Sequence, residues 1–205
     1  MYEPIAAIWS PKRTIIAAPA LFDGAKAHFA CSGLTSYEGF DAVAIIADIL
    51  AQAGTFTSGV NTAAEALEEP LTAAAQHMHD NAPDDFKTRL ASREALAVIF
   101  IGVHDNVTSL IRLSYRTKKR GKQVVLVREQ AGYPNASTDI MSLEFITAGA
   151  SRDADDAFKK SSSQQALVHP EKTLRDFMKQ AGATFPVQGL TFTKAETTPF
   201  TIEAP

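Results

Sequence analysis

Phe29-Ala30-Cys31-Ser32-Gly33-Leu34 is the stretch that decides the fold of this chain. An apolar run of this length is typical of a buried β-strand, and a Ser-Gly pair is a common place for a strand to end. The capping-box pattern Thr35-Ser36-Tyr37-Glu38 follows at once and predicts a helix over residues 35–53, which stops at Gly54. The sequence therefore predicts a strand that passes directly into a helix.

Further strands are predicted before and after this stretch. Ile5 to Trp9 and Arg13 to Ala18 are apolar runs, and Ser10-Pro11-Lys12 between them presets a turn, so the pair predicts a hairpin. Three later runs are also predicted as strands: Leu143 to Thr147, Val187 to Thr193, and Phe200 to Ile202.

The middle of the chain predicts a meander of three strands. Ala95 to Val103 is an almost unbroken apolar run, which is typical of a strand buried on both faces. His104-Asp105-Asn106 supplies the residues of a tight turn before a second strand from Val107 to Tyr115. Lys118 to Lys122 forms a basic turn, and Gln123 to Arg128 returns as the third strand.

Two further helices are predicted from their first residues. Thr62 and Glu65 form a capping-box pair before an apolar stripe, and Pro70 inside that stripe predicts a kink or two abutting helices. His169-Pro170 opens a later helix that closes at Gly182. Blocks of contiguous strands thus alternate with paired helices, which favours an α+β class with antiparallel sheets covered by helices. Without a repeat or a long linker, residues 1–205 are expected to form one domain.

The bulk composition limits the function classes. The chain has 205 residues, 45% hydrophobic residues and a net charge of −3, so a soluble globular protein is expected and a nucleic-acid partner is not. No run reaches the roughly 18 apolar residues of a membrane helix. The single cysteine, Cys31, lies in an apolar run and is expected to be a small buried residue in a reducing compartment. These features together predict a cytoplasmic protein without a membrane partner.

The order of these elements resembles that of proteasome β-subunits and HslV-type peptidases, which are N-terminal-nucleophile (Ntn) hydrolases. The resemblance runs across most of the chain, and its motifs are Ser32-Gly33 before a helix, Gly102-Val103-His104-Asp105 after the central strand, and Thr147-Ala148-Gly149-Ala150-Ser151 at a strand end. It implies a four-layer αββα sandwich of two antiparallel sheets flanked by helices. It also implies a homo-oligomer, for which a ring is one arrangement, and a peptide or protein ligand.

The resemblance implies a particular chemistry. In this family an N-terminal Thr, Ser or Cys attacks a carbonyl, its own α-amine acts as the base, and backbone N–H groups hold the oxyanion. The family pattern places the oxyanion donor at Gly33. It offers Lys26 as the nearby lysine, and Ser151 is a further candidate at a strand-to-helix turn. No cofactor and no metal is implied.

The same comparison shows departures at the positions where catalysis would occur. The nucleophile aligns near Tyr2 or Glu3, neither of which can serve, and the family's acidic residue falls near Ala18 or Pro19. These departures predict a subunit that has kept the fold and lost the hydrolytic site, acting as an oligomeric binding or scaffold protein. Two alternatives stay open: an active threonine-type peptidase or amidohydrolase whose mature N-terminus is not Met1, and an unrelated α+β domain that binds a small ligand.

Two charged clusters have a simpler interpretation than a site. His77 and His79, beside Asp80, have the residue types of a metal cluster, but an i, i+2 pair on a helix points to different faces. A solvated helix end is expected there. The basic cluster at 116–122 is expected to be a solvated hairpin tip, with phosphate or an acidic partner as the alternative.

Overall fold

The computed structural model describes residues 5–9, 14–17, 22–23, 27–90, 94–133, 144–148, 169–193 and 196–203. Within these ranges the chain is α+β: antiparallel strands form sheets, and helices pack against them. The predicted class is therefore confirmed. No helix in the described ranges is both long enough and apolar enough to span a membrane.

The helices and strands follow in this order: β1 (Ile5–Trp9), β2 (Thr14–Ala17), β3 (Phe22–Asp23), β4 (Ala27–Gly33), β5 (Ser36–Tyr37), β6 (Phe40–Asp41), α1 (Ala42–Gln52), α2 (Phe56–Asn81), α3 (Pro83–Arg89), β7 (Glu94–His104), β8 (Val107–Arg120), β9 (Gln123–Tyr133), β10 (Glu144–Ala148), α4 (Pro170–Gln180), β11 (Val187–Phe192) and β12 (Thr197–Ile202).

The first large sheet, called sheet 1 here, joins the two ends of the described chain. Its strand order is β10-β1-β2-β11-β12, and each neighbouring pair is antiparallel. Ala6 lies between Thr147 of β10 and Ala17 of β2, so the predicted hairpin of β1 and β2 is confirmed. The strands predicted near the end of the chain are present as β11 and β12.

The second large sheet, called sheet 2, has the order β3-β4-β7-β8-β9 and includes the predicted meander. The turn between β7 and β8 places Asp105 and Asn106 at φ values of 47° and 66°, the positive values that a type I′ hairpin turn requires. Strands β8 and β9 run further than predicted, to Arg120 and Tyr133. Their hairpin is thus longer than the sequence indicated.

Three apolar cores hold these elements together. The helix-side core lies between sheet 2 and helices α1 and α2, with Phe29, Leu67 and Phe100 among its residues. The central core draws on both sheets, and its residues are Ile5, Ala7, Ala30, Ala97, Ile99, Ile101, Leu110 and Leu190. The third core packs α4 on sheet 1 through Ala6, Ile8, Leu174, Phe177, Met178, Val187 and Ile202. Each large apolar side chain buried in this way contributes about 1.5–3 kcal/mol.

The predicted start of the first helix is wrong. Instead of a helix from Thr35, the chain forms a small hairpin of β5 and β6, with Glu38 and Gly39 at φ values of 46° and 85° in its turn. Helix α1 begins only at Ala42, where the Asp41 carboxylate accepts a hydrogen bond from the N–H of Ala44 at 3.0 Å. Two consecutive positive-φ residues cannot continue a right-handed helix, so Asp41 takes the cap.

The second helix is longer than predicted and unbroken. It begins at Phe56 with a capping box of Thr55 and Ser58, not at Thr62, and runs for 26 residues through Pro70. Pro70 has no N–H to give to the carbonyl of Ala66, but Ala66 lies on the exposed face, where water can hydrate that carbonyl. The expectation of two abutting helices is therefore wrong. The later helix α4 does begin at Pro170, as predicted, and Gly182 follows its end with a φ of 78°.

Candidate functional site

Gly33, the predicted oxyanion donor, ends β4 in a conformation that favours glycine. Its φ is 111°, and a Cβ built on it would lie 2.5 Å from the main-chain oxygen of Ala95. The next residue, Leu34, donates its N–H to that same oxygen at 2.6 Å. The close approach of the two main chains therefore excludes a side chain at position 33. A hydrogen bond from Gly33 to a ligand stays a prediction, and the other candidates, Lys26 and Ser151, lie outside the described residues.

A row of small side chains crosses sheet 2 one residue before Gly33. Ser32 pairs with Ala97, and Ala97 pairs with Ser114. Antiparallel partners share a face, and Ala97 belongs to the central core, so both serines lie on the face toward sheet 1. Ser32 is only 3% exposed, and its Oγ finds no hydrogen-bond partner within the described part of the chain. The methyl group of Ala97 is the side chain between the two hydroxyls.

A partly buried ion pair lies on this same face. Arg112 donates from Nη2 to Glu94, from Nη1 to the Ser114 hydroxyl at 3.3 Å, and from Nε to the main-chain oxygen of Thr147 at 3.2 Å. The Arg112 and Glu94 side chains are 22% and 21% exposed. We call these four residues the Arg112 cluster. Since Thr147 belongs to β10, the cluster ties sheet 2 to sheet 1.

A second arginine extends the cluster toward solvent. Arg116 lies with Nη2 3.5 Å from a Glu94 oxygen and 3.6 Å from a Glu129 oxygen, and about half of its side chain is exposed. Two guanidinium groups thus face two carboxylates. The charges of these four described side chains balance, so the group they form carries no net charge to attract an ionic ligand.

Three features meet at this end of the molecule. Ile5 and Ala6 at the start of β1 pair with Ala148 and Thr147, and the Thr147 oxygen binds Arg112. Gly33 ends β4 on the neighbouring strand of sheet 2. The start of β1, the end of β4 and the Arg112 cluster are therefore brought together, which no single sequence motif had indicated.

Among the described residues at this end, neither serine has the neighbouring base that nucleophilic catalysis requires. A serine nucleophile needs a base within about 3 Å, and an arginine stays protonated in proteins. The histidine on the same strand, His28, is four residues before Ser32, about 13 Å away at 3.3 Å per residue. Its Nε2 instead lies 3.2 Å from the Thr197 hydroxyl. In the described part of the chain, then, Ser32 and Ser114 have no imidazole base in reach.

Cys31 points to the opposite face of β4, into the helix-side core. Burial, and secondarily the charge of Asp41, raises the pKa of its thiol to about 12. A thiol with this pKa stays protonated at neutral pH and is a poor nucleophile. The prediction that Cys31 is a small buried residue is confirmed.

The histidines of α2 have separate partners. The His77 ring is tilted by 57° against the Tyr37 ring, with their centres 5.8 Å apart. His79 binds the Asp80 carboxylate at 2.8 Å and packs edge-on against Phe86. Among the residues that the structure describes, no three His, Cys, Asp or Glu side chains are placed to hold a metal ion.

A small cleft lined by both polar and apolar residues lies between α2 and β9. Its volume is about 230 Å³, and its lining includes Glu68, Tyr115 and Arg128. Arg128 and Glu68 form an ion pair at 2.8 Å, and the Tyr115 hydroxyl donates to the main-chain oxygen of Ala64. Ligand pockets usually occupy about 300–1,000 Å³ and offer unpaired polar groups. These contacts instead fix the helix to the sheet.

Sequence reasoning missed the Arg112 cluster. Its signal was the strict alternation of polar and apolar residues along β8, where Arg112, Ser114 and Arg116 alternate with Ile111, Leu113 and Tyr115. Such alternation normally indicates a solvated face. Here sheet 1 covers that face near Arg112 and Ser114, so this part of the polar row lies between the two sheets.

Searches with protein-family models and among curated proteins find no significant match to this chain.

Proposed function

We propose that this chain is an Ntn-hydrolase-fold subunit of the proteasome type that has lost hydrolysis and serves as an oligomeric binding or scaffold protein. The order of the three cores supports the fold part of this proposal. One core joins α4 to sheet 1, one joins the two sheets, and one joins sheet 2 to α1 and α2, and these contacts support the proposal of a four-layer αββα sandwich. The antiparallel pairing of β1 with β2 also supports the fold part, because the sandwich of that family begins with a strand hairpin.

The single observation behind the functional part is the Arg112 cluster. Acyl transfer needs a nucleophile, a base and free N–H donors that converge on open space. At this end of the molecule, each of the three Arg112 nitrogens donates a hydrogen bond within the protein, to Glu94, Ser114 and Thr147. A guanidinium is already protonated and cannot serve as a base. Its three bonds favour a structural bridge between the sheets over a catalytic role.

Labelling with a peptide vinyl sulfone, an electrophile that captures N-terminal nucleophiles, tests the loss of hydrolysis. We expect no adduct and no release of fluorophore from a panel of fluorogenic peptides. The chain has one cysteine, Cys31, so a Cys31→Ala variant separates thiol labelling from N-terminal labelling. An adduct that persists in this variant and maps to a Thr or Ser N-terminus would overturn the proposal in favour of an active peptidase or amidohydrolase.

Light scattering coupled to size exclusion tests the oligomeric part. A defined mass of several times 22.0 kDa, stable on dilution, is the expected result. A mass of one chain at all concentrations would contradict a scaffold built from copies of this protein. It would leave the inactive fold in place and favour a monomeric binding role.

A further inference from the structure

The row of polar side chains on β8 extends beyond the Arg112 cluster to the exposed end of the β8–β9 hairpin. Arg112, Ser114 and Arg116 are followed on the same face by Lys118 and Arg120, because alternate residues of a strand share a face. Exposure rises along the row, since Ser114 is buried while Lys118 and Arg120 are exposed. Neither Lys118 nor Arg120 has an ion pair within the described part of the chain.

The tip of this hairpin is uniformly basic. The last β8 residue that pairs with β7 is Arg116, opposite Glu94. Among the described strands, the rest of β8 pairs with β9 alone. Residues 117–126, called the basic hairpin here, contain Lys118, Lys119, Arg120 and Lys122 and no acidic or aromatic residue. Four like charges this close repel one another, which favours a partner of opposite charge.

The complementary surface lies on α2 of the same chain. Glu65 and Glu69 are one helical turn apart and exposed, and neither has an ion pair among the described residues. Their neighbour Glu68 differs, because Arg128 binds it at 2.8 Å. Like charges at i and i+4 destabilise a helix, so a cationic partner at Glu65 and Glu69 would relieve a repulsion that nothing on α2 offsets.

The two surfaces match in spacing as well as in sign. Lys118 and Arg120 are about 6.6 Å apart along β8, at about 3.3 Å per residue. Glu65 and Glu69 are about 6 Å apart along α2, at 1.5 Å per residue. We propose that the basic hairpin of one copy docks on Glu65 and Glu69 of α2 in the next copy, an inference that rests on the oligomeric part of the proposed function.

The positions of the two surfaces determine the type of contact. Helix α2 packs on one face of sheet 2, with Glu65 and Glu69 turned away from that sheet, while Lys118 and Arg120 project from the other face. The basic hairpin and the Glu65 and Glu69 surface of one copy therefore contact two different neighbouring copies. The contact joins different surfaces head to tail, the arrangement that produces rings when it closes and filaments when it does not.

A second copy fits the basic hairpin better than nucleic acid does. The whole chain has a net charge of −3, which repels a polyanion at long range. The hairpin also lacks the aromatic side chains on which single-stranded bases stack. A helix of this same chain offers the matching carboxylates.

Charge reversal tests the contact. The double variant K118E and R120E is compared with K172E and K179E, which makes the same change in net charge at exposed positions of α4. Sedimentation velocity at low salt should show the dissociation constant of the assembly rise about tenfold or more in the hairpin variant, because each exposed pair turns from attraction to repulsion. The α4 variant should stay within about twofold of the natural protein. Circular dichroism of both variants provides the control for folding.

Compensation tests the identity of the partner surface. The variant E65K and E69K should weaken assembly alone and restore it when combined with K118E and R120E. Failure of this rescue, or equal weakening in the α4 control, would overturn the assigned contact. Binding of a labelled RNA oligonucleotide that is lost in the K118E and R120E variant would overturn it too, in favour of a nucleic-acid surface.

The outcomes separate this inference from the proposed function. A natural protein that assembles while all reversals leave its mass unchanged contradicts the hairpin contact and keeps the oligomeric scaffold. A natural protein that stays monomeric at every concentration contradicts both.

Discussion

Replacing Glu94 with alanine is expected to destabilise the protein by removing the carboxylate that binds Arg112. The guanidinium would keep its bonds to Ser114 and Thr147 but would lose the charged partner of Nη2. Its side chain is 22% exposed, so water can replace only part of what is lost. The variant therefore leaves a charge that is mostly buried and incompletely paired.

The expected loss lies between two limits. Breaking a fully buried ion pair costs about 3–5 kcal/mol, while an exposed pair contributes about 0–1 kcal/mol. The Glu94 and Arg112 side chains are about one-fifth exposed, which places the Glu94→Ala change near 2 kcal/mol of unfolding free energy. With a urea m-value of about 2 kcal/mol/M, the midpoint of unfolding should fall by about 1 M.

Urea unfolding followed by far-ultraviolet circular dichroism provides the measurement. The matched control is Glu68→Ala, which breaks the more exposed pair with Arg128 and should cost about 1 kcal/mol or less. Replacing both partners with apolar residues, as Glu94→Leu with Arg112→Met, should recover most of the loss, since no unpaired charge remains. A Glu94→Ala midpoint equal to that of the control would refute a buried bridge between the sheets.

Three further outcomes follow from the end of β4. Gly33→Ala should destabilise the protein by about 3 kcal/mol and Gly39→Ala by about 1 kcal/mol. Both glycines have a positive φ, but only at Gly33 would the new Cβ lie 2.5 Å from a main-chain oxygen. Equal urea midpoints for the two variants would contradict this packing. Ser32→Ala should raise the unfolding free energy by about 1 kcal/mol, since its Oγ is buried and has no hydrogen-bond partner among the described residues. A clear fall in thermal stability would show that the hydroxyl has a partner. Burial raises the pKa of the Cys31 thiol to about 12, so a thiol reagent at pH 8 should label only unfolded protein; rapid labelling of native protein would contradict the burial. Stability should also decline above about pH 9, because there the thiol ionises in the unfolded chain and stays protonated in the folded one.

Local patterns were sufficient for much of the fold. The hairpin of β1 and β2, the meander and the start of α4 were all predicted, because turn residues and apolar alternation act within a few positions of one another. The start of α1 was not. Thr35 and Glu38 have the spacing of a capping box, but Gly39 allows a tight turn and Asp41 is a cap nearer to the apolar stripe.

The candidate site depended on pairing between distant strands. Nothing in the sequence brings Glu94 to Arg112, since their contact follows from the register of β7 on β8 and from an irregularity in that register after Glu94. The tie to Thr147 requires a second sheet. Gly33 was identified as a special position through the family resemblance, which assigns it the oxyanion donor. Its positive φ and its close approach to the main chain of Ala95 depend on the pairing of β4 with β7, which the sequence does not reveal.

The mature N-terminus is the most direct test of an Ntn-type fold that has lost hydrolysis. Intact-mass and N-terminal peptide mass spectrometry of the protein purified from the cells that make it would establish it. The proposed function predicts a chain that retains Met1, with Tyr2 and Glu3 after it. A processed chain that begins with Thr, Ser or Cys would contradict the proposal and indicate an active enzyme.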